Sequence, residues 1–363
     1  MSEPVTVWAP HVQQVSVSWR RQDEGVLALC PMTASTGGWW TWTPPEGVGP
    51  IDYAFSLDGG DPRPDPRSPW QPHGVHAASR TFDPTQQPWA DDAWRGPRDG
   101  RGVLGGVVYE LHVGTFTPQG TLDAALEHLE HLVELGVDVV ELMPLAAFDG
   151  PRGWGYDGVH PYAVHDAYGG PAALQRFVDA CHARGLGVGL DVVYNHLGPT
   201  GNYLAEFGPY FTEAHHTPWG AAVNLDADES HEVRRWVIDN ALRWFRDFHV
   251  DALRLDAVHE LRDDSEPHLL AQLSDEVAAL AAELGRSLDL VAESDLNDPV
   301  MVTPTADGGR GMTAQWDDDI HHALHVALTS ESDGYYADFA GGGKAFPEGG
   351  ALGVLAKTLT DAF

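Results

Sequence analysis

The first 85 residues alternate between apolar and polar positions with a period of two. Four short runs show this pattern, and clusters of Gly, Pro and Asp separate them: 5–8, 15–19, 40–42 and 51–55. A period of two is typical of half-buried strands, and the separating residues mark turns. We therefore predict an N-terminal immunoglobulin-like β-sandwich over residues 1–85. Residues 86–105, rich in Pro, Gly, Asp and Arg, are predicted to be a linker.

From residue 106 onwards, short apolar runs alternate with stretches of helical period. The predicted strands are 107–113, 137–143, 187–193, 250–258, 288–292 and 312–316. The predicted helices are 121–135, 171–184, 229–248, 267–284 and 352–359. Such alternation predicts βαβ units and a parallel sheet. No glycine-rich phosphate-binding loop follows the first strand, so a (β/α)8 TIM-type barrel over residues 106–363 is favoured over a doubly wound sheet.

The number of predicted strands is smaller than this fold requires. A closed barrel of this type has eight strands, whereas the sequence predicts six. We therefore expect about six of the eight strands, a barrel that is incomplete at its C-terminal end, and little or no activity from residues 1–363 alone.

Composition restricts the partners of the chain. Its 363 residues carry a formal net charge of −33, which argues against nucleic acid or an anionic membrane as a partner and is compatible with a neutral sugar. The two cysteines, Cys30 and Cys181, imply no disulfide framework. The sequence shows no N-terminal targeting pattern and no apolar run of membrane-spanning length, so a cytoplasmic protein is expected.

Two carboxylates occupy the ends of consecutive predicted strands. Asp256 ends the fourth strand and Glu293 ends the fifth, where barrels of this type carry catalytic groups. Arg254 lies two positions before Asp256, so both side chains point the same way, and the guanidinium favours an ionised, nucleophilic Asp256. The apolar residues before Glu293 favour its protonated form, which suits a general acid. The alternative is a structural Arg–Asp pair and an unrelated exposed Glu.

Histidines occur near the other strand ends and in two pairs along the chain. Asn195 and His196 follow the third strand, where they could hydrogen-bond a sugar hydroxyl. The pairs 215–216 and 321–322 lack the i, i+4 spacing of a helical zinc site with a third ligand nearby. We therefore expect neither a metal nor an organic cofactor.

Several of these segments resemble a known family. Residues 191–196, 251–259 and 291–293 resemble three short conserved regions of the α-amylase superfamily. Residues 5–10 are similar to the start of the β-sandwich that precedes the barrel in its branching, debranching and trehalose-forming members. Finer features resemble the trehalohydrolase subfamily, which releases trehalose from maltooligosyltrehalose: 153–159, 194–199, 216–220, 315–325 and 334–339.

The resemblance implies a role for each matching residue. Asp256 would be the nucleophile and Glu293 the acid/base, with Arg254 beside the nucleophile. The family also uses a third carboxylate, an Asp after a His at the end of the seventh strand, and the predicted elements include no such position. The residues implied in substrate binding surround the cleaved sugar or the leaving trehalose: Tyr156, His196, His259, Trp316, Asp317 and Asp318.

Together these features predict a retaining α-glycosidase that acts on maltooligosyltrehalose or a related α-glucan. It would hydrolyse the α-1,4 bond next to the terminal trehalose, functionally coupled to a maltooligosyltrehalose synthase. Two alternatives remain open. One is a glycogen branching or debranching enzyme of the same superfamily, and the other is a non-catalytic glucan-binding protein with the N-terminal domain as its binding module.

Overall fold

The N-terminal part of the chain forms two antiparallel sheets. The computed structural model describes residues 3–22, 24–25, 27–341 and 349–361. Seven strands build the two sheets: β1 (Val5–Trp8), β2 (Val15–Arg21), β3 (Ala28–Pro31), β4 (Thr33–Ala34), β5 (Trp39–Trp42), β6 (Ile51–Leu57) and β7 (Ser79–Arg80). One sheet has the order β1-β5-β4 and the other β3-β2-β6-β7. All four predicted runs are strands, and the short β3, β4 and β7 were not predicted.

The remainder of the chain alternates strands and helices. Its strands are β8 (Val108–Leu111), β9 (Val139–Leu142), β10 (Gly187–Val192), β11 (Phe211–Thr217), β12 (Gly220–Val223), β13 (Ala252–Leu255), β14 (Asp289–Glu293) and β15 (Ala314–Trp316). Its helices are α1 (Pro97–Gly100), α2 (Val113–Phe116), α3 (Leu122–Ala125), α4 (Leu129–Leu135), α5 (Gly170–His182), α6 (Leu204–Phe207), α7 (Ser230–Asp247), α8 (Leu269–Leu284), α9 (Asp318–Thr329) and α10 (Gly350–Asp361).

A parallel sheet with six strands in the described residues organises this region. Its order is β8-β9-β10-β13-β14-β15, and every neighbouring pair is parallel. Strands β9, β10, β13 and β14 are almost completely buried, as expected for strands covered on both faces. The fold is therefore of the TIM-barrel-like α/β type. The N-terminal sheets share its hydrophobic core, where Trp8 and Phe55 pack edge-on against Tyr210 and Phe207.

Helix ends follow the glycine signals in the sequence. α4 ends at Gly136 and α8 at Gly285, both with positive φ, a backbone conformation that glycine adopts readily. One helical prediction was wrong, because residues 121–135 form α3, a short 3-10 turn and α4 instead of a single helix. The break comes at His128, whose φ of −109° and ψ of 1° leave the helical region.

Two elements near the sheet were not predicted. The hairpin of β11 and β12 has a polar sequence that includes His215 and His216, and it lacks the clear alternation that identified the other strands. Helix α9 begins where the predicted substrate residues lie, and Asp317 Oδ1 accepts a hydrogen bond from its first turn, at Ile320 N, as a helix cap.

The segment predicted as a linker packs against the N-terminal ends of the strands. Trp94 Nε1 donates a 2.7 Å hydrogen bond to Asp251 Oδ1, one residue before β13, and the Trp94 ring stacks on His182 with centroids 4.3 Å apart. The backbone N–H of Val103 donates to Asp289 Oδ2 at the start of β14. These contacts hold the segment against the parallel sheet.

His182 lies between two buried carboxylates in this region. Its Nδ1 is 2.8 Å from Asp91 Oδ2, and its Nε2 is 3.0 Å from Asp251 Oδ2. Burial alone would lower the pKa of His182, but the hydrogen bonds to Asp251 and Asp91 outweigh burial and raise it. The ring therefore carries a proton more readily in the folded chain than in the unfolded one.

No helix in the described part of the chain is long and apolar enough to cross a membrane.

The substitution His182→Gln tests this buried ion cluster. A raised pKa in the folded state stabilises the fold fully below the unfolded value of about 6.5, and the stabilisation disappears as pH rises through the folded pKa. We expect His182→Gln to lower the free energy of unfolding by about 3 kcal/mol at pH 6, and by clearly less at pH 9. Urea unfolding at the two pH values measures this, with the exposed His231→Gln as a control that leaves both values unchanged. An equal loss at both pH values would contradict the assignment.

Candidate active site

Arg254 on β13 contacts three carboxylates at the C-terminal ends of the strands. Its NH1 lies 2.9 Å from Asp191 Oδ2 and 2.9 Å from Asp256 Oδ1, and its NH2 lies 3.7 Å from Glu293 Oε2. Burial lowers the pKa of Arg254, but the carboxylates, Asp191 foremost, raise it above its usual value. One cation thus links β10, β13 and β14.

Asp256, the predicted nucleophile, immediately follows β13 and is held on both sides. Besides its contact with Arg254, its Oδ2 accepts a 3.0 Å hydrogen bond from Asn195 Nδ2. The same amide donates to the backbone carbonyl of Asp256 at 2.7 Å. Donors on both carboxylate oxygens hold Asp256 in one orientation, as a nucleophile requires.

Glu293, the predicted acid/base, is the last residue of β14 and is half-buried. Its Oε2 accepts a hydrogen bond from the backbone N–H of Ala257. Ala257 directly follows Asp256 and has a φ of 40°, in the left-handed region that residues with a side chain seldom occupy. The chain turn after Asp256 therefore directs an N–H group at the Glu293 carboxylate.

Asp191 on β10 was not among the predicted site residues, yet it anchors the cluster. Both of its carboxylate oxygens accept hydrogen bonds from Arg254 NH1, at 3.0 and 2.9 Å, and the Tyr156 hydroxyl donates to its Oδ2 at 2.8 Å. Burial raises the pKa of Asp191 to about 7, while Arg254 lowers it. Burial and the nearby Asp191 also raise the pKa of Tyr156, so its hydroxyl stays protonated and remains a donor.

His196 connects the loop that carries Tyr156 to Asn195, the hydrogen-bond donor to Asp256. Its Nε2 is 3.0 Å from the backbone oxygen of Tyr156, and its Nδ1 contacts Asn195 Oδ1. Burial lowers the pKa of His196. The ring of Trp219, in the turn of the β11–β12 hairpin, stacks on the His196 ring with centroids 4.1 Å apart. Trp219 is itself 52% exposed and was not singled out from the sequence as a site residue.

The remaining predicted residues lie at the edge of this cluster. The Arg254 guanidinium carbon lies 4.8 Å from the centroid of the Trp316 ring. Asp317 caps α9 through Oδ1, whereas its buried Oδ2 has no hydrogen-bond partner among the described residues. Asp318 is in the first turn of α9, and His259 lies 3.7 Å from Asp295. The structure therefore brings Asp256, Glu293, Arg254, Tyr156, His196 and Trp316 together, and it gives Asp317 a structural contact.

One group of side chains among the described residues could together hold a metal ion. The ligand atoms of His215, Asp226 and Asp264 lie within 4.8 Å of one another. Asp226 Oδ2 already accepts hydrogen bonds, from His215 Nε2 at 2.9 Å and from the Asp264 backbone N–H at 2.9 Å. These contacts account for the arrangement without an ion. The expectation that the reaction uses no metal stays a prediction.

Comparison with known proteins shows which proteins the chain is similar to. Residues 82–218 match the family model of the α-amylase catalytic domain. The chain is 55% identical over 361 residues to the malto-oligosyltrehalose trehalohydrolase of Arthrobacter ramosus, an alignment that covers 99% of this chain and 60% of that protein. It is 51% identical to the malto-oligosyltrehalose trehalohydrolase of Mycobacterium tuberculosis strain H37Rv, covering 98% of this chain and 58% of that protein.

A solved structure shows the same fold. The crystal structure of a Salmonella typhimurium protein described as an alpha amylase is 38% identical and has a TM-score of 0.86, covering 98% of this chain and 57% of that one. The predicted resemblance to the trehalohydrolases of the α-amylase superfamily is therefore confirmed. The chain spans between half and 60% of the length of the curated trehalohydrolases it matches.

The Asp191–Arg254 pair allows a direct energetic test. Arg254→Met should lower the free energy of unfolding by about 3–5 kcal/mol, because it leaves a fully buried carboxylate without its cation. We expect Asp191→Asn/Arg254→Met to lose clearly less than the two single changes added together. The exposed pair Arg184–Glu130 serves as control, with Arg184→Met/Glu130→Gln giving a coupling of at most about 1 kcal/mol. Additive losses at Asp191 and Arg254 in urea unfolding would refute the shared network.

Proposed function

We propose that the complete protein containing this sequence is a retaining α-glycosidase. It hydrolyses the α-1,4 bond next to the terminal trehalose of maltooligosyltrehalose and releases trehalose. The observation that carries the proposal is the contact of Arg254 with both Asp256 and Glu293 at adjacent strand ends. The names of the relatives at 51–55% identity support the choice of substrate.

In this mechanism Glu293 protonates the glycosidic oxygen while Asp256 attacks the anomeric carbon. Water, activated by Glu293, then hydrolyses the glycosyl-enzyme intermediate with retained configuration. Retaining enzymes hold the two carboxyl groups roughly 5–5.5 Å apart, and the contact of both with one guanidinium favours such a short separation. The donors on Asp256 hold its carboxylate in place before attack.

The sugar at the cleavage point would lie against Tyr156 and His196. The Tyr156 hydroxyl is engaged by Asp191, which fixes the ring as a platform that a sugar can stack on. Trp219 holds His196 from the other side. The leaving trehalose would be bound by Trp316, Asp317, Asp318 and His259, of which Trp316 lies against the Arg254 guanidinium.

Further parts of the proposal concern architecture and context. The two antiparallel sheets of the N-terminal region form the predicted immunoglobulin-like β-sandwich, and the six parallel strands correspond to six of the eight strands of a (β/α)8 barrel. We further propose a cytoplasmic location and functional coupling to an enzyme that makes maltooligosyltrehalose.

Product analysis tests the reaction. The complete protein incubated with maltooligosyltrehalose should release free trehalose and a shortened maltooligosaccharide, because water accepts the glycosyl group. Chromatography of the products measures this, and NMR of the fresh reducing end should show the α-anomer first. New α-1,6 branches would identify a branching enzyme instead, and hydrolysis of pullulan in preference to maltooligosyltrehalose would identify a debranching enzyme. Binding of glucan without any product would favour the glucan-binding protein.

The substitution Asp256→Ala tests the nucleophile. We expect kcat to fall by about 10⁴-fold or more, because the covalent step is lost, while glucan binding measured by calorimetry stays within a few-fold. Glu130→Gln, which removes an exposed carboxylate on α4, is the matched control and should keep full activity. Turnover by Asp256→Ala within about tenfold of the unaltered protein would rule out the assigned role.

A further inference from the structure

Glu141 is a buried carboxylate on β9 that the mechanism does not use. In the sheet it pairs with Glu110 on β8 and with Gly189 on β10. A Cβ atom on Gly189 would lie 3.5 Å from Glu141 Cγ, an ordinary contact distance, so the Glu141 side chain lies directly beside β10. Asp191 lies two residues after Gly189 on the same face of β10. Glu141 therefore lies on the same face of the sheet as the Asp191–Arg254 pair, one layer nearer the N-terminal ends of the strands.

The hydrogen bonding of Glu141 differs from that of Asp191. Glu141 is 5% exposed, and its buried Oε1 has no hydrogen-bond partner among the described residues. Asp191, in contrast, accepts from Arg254 on both oxygens and from the Tyr156 hydroxyl. Donors to the charged form favour ionisation, and burial without donors disfavours it. If Glu141 and Asp191 share a single proton, that proton resides on Glu141.

The charges around Glu141 point the same way. The charged groups that face it are Glu110 from β8, Asp191 from β10 and Arg254 from β13. Arg254 is the one cation of this set, and it is already shared with Asp256 and Glu293. Burial, and after it the charge of Asp191, raises the pKa of Glu141 to about 8. At neutral pH Glu141 is therefore a neutral acid.

We infer that Glu141 is a positioning residue for the carboxylate pair Asp256 and Glu293. As a neutral acid, Glu141 leaves the Arg254 guanidinium in contact with Asp191 and this pair. When Glu141 ionises, it draws the guanidinium away from the pair. The inference rests on the proposed glycosidase function. Loss of the proton adds a negative charge beneath Arg254 and attracts the guanidinium towards β9. Asp256 and Glu293 then lose the group that links them, and the rate falls on the alkaline side.

The substitution Glu141→Gln separates this role from a merely structural one. Glutamine has nearly the same shape and cannot ionise. In the complete protein we expect kcat at pH 6 to stay within about threefold, KM to be unchanged, and the alkaline limb of the kcat profile to move up by about one pH unit or more. Glu110→Gln, which removes an exposed carboxylate on the neighbouring strand, is the matched control and should not move that limb upward. An unchanged alkaline limb in Glu141→Gln would overturn the inference.

A second measurement does not depend on turnover. The infrared difference between the unaltered protein and Glu141→Gln at pH 6 should show the loss of one protonated carboxyl band, and this band should disappear from the unaltered protein as pH rises past about 8. Absence of that band would overturn the inference even if trehalose were released. Conversely, a lack of trehalohydrolase activity would refute the proposed function. The infrared measurement would still decide whether Glu141 is protonated. If Glu141→Gln does not fold, Glu141→Leu is equally unable to ionise and is judged by the same band.

Discussion

The structure of this site depends on one guanidinium that serves three carboxylates on neighbouring strands. Arg254 lies on β13, Asp191 on β10, Asp256 at the end of β13 and Glu293 at the end of β14. The planar guanidinium can donate to several acceptors at once in fixed directions. A lysine ammonium, carried on a flexible side chain, would hold the same acceptors in less well defined positions. The positions of Asp256 and Glu293, and the alignment of three strand ends, therefore follow from a single side chain.

β13 carries charge at both ends and apolar residues between them. Asp251, one residue before the strand, accepts hydrogen bonds from Trp94 and the backbone of Val188 and contacts His182. At the other end, Arg254 and Asp256 face the candidate site. This separation of the two charged ends of β13 suits a barrel, in which the N-terminal ends of the strands contribute stability and the C-terminal ends carry chemistry. The segment over residues 86–105 is part of the stabilising end, because it supplies Trp94 and Asp91.

The sequence predicted those features that depend on neighbours along the chain. Period-two runs located the N-terminal strands, and the spacing of Arg254 and Asp256 placed both on one face of β13. Asp191 was not selected because its importance comes from Arg254 and Tyr156, 63 and 35 residues away. Trp219 was missed for a similar reason, since its partner His196 lies on another element. Helix α9 was missed because its first turn, rich in Asp and His, was interpreted only as a ligand-binding motif.

The contrast among the buried acids shows what determines their charge. Asp191 and Glu141 are both almost fully buried on adjacent strands, so burial alone cannot distinguish them. Donors do distinguish them, because Arg254 and Tyr156 direct protons at Asp191 and no described group does so at Glu141 Oε1. Arg254 already contacts Asp191, Asp256 and Glu293, so a further buried carboxyl group such as Glu141 is tolerated there only when it keeps its proton. By this reasoning the availability of Arg254 to Asp191, Asp256 and Glu293 depends on a protonated Glu141 one layer below the guanidinium in the sheet.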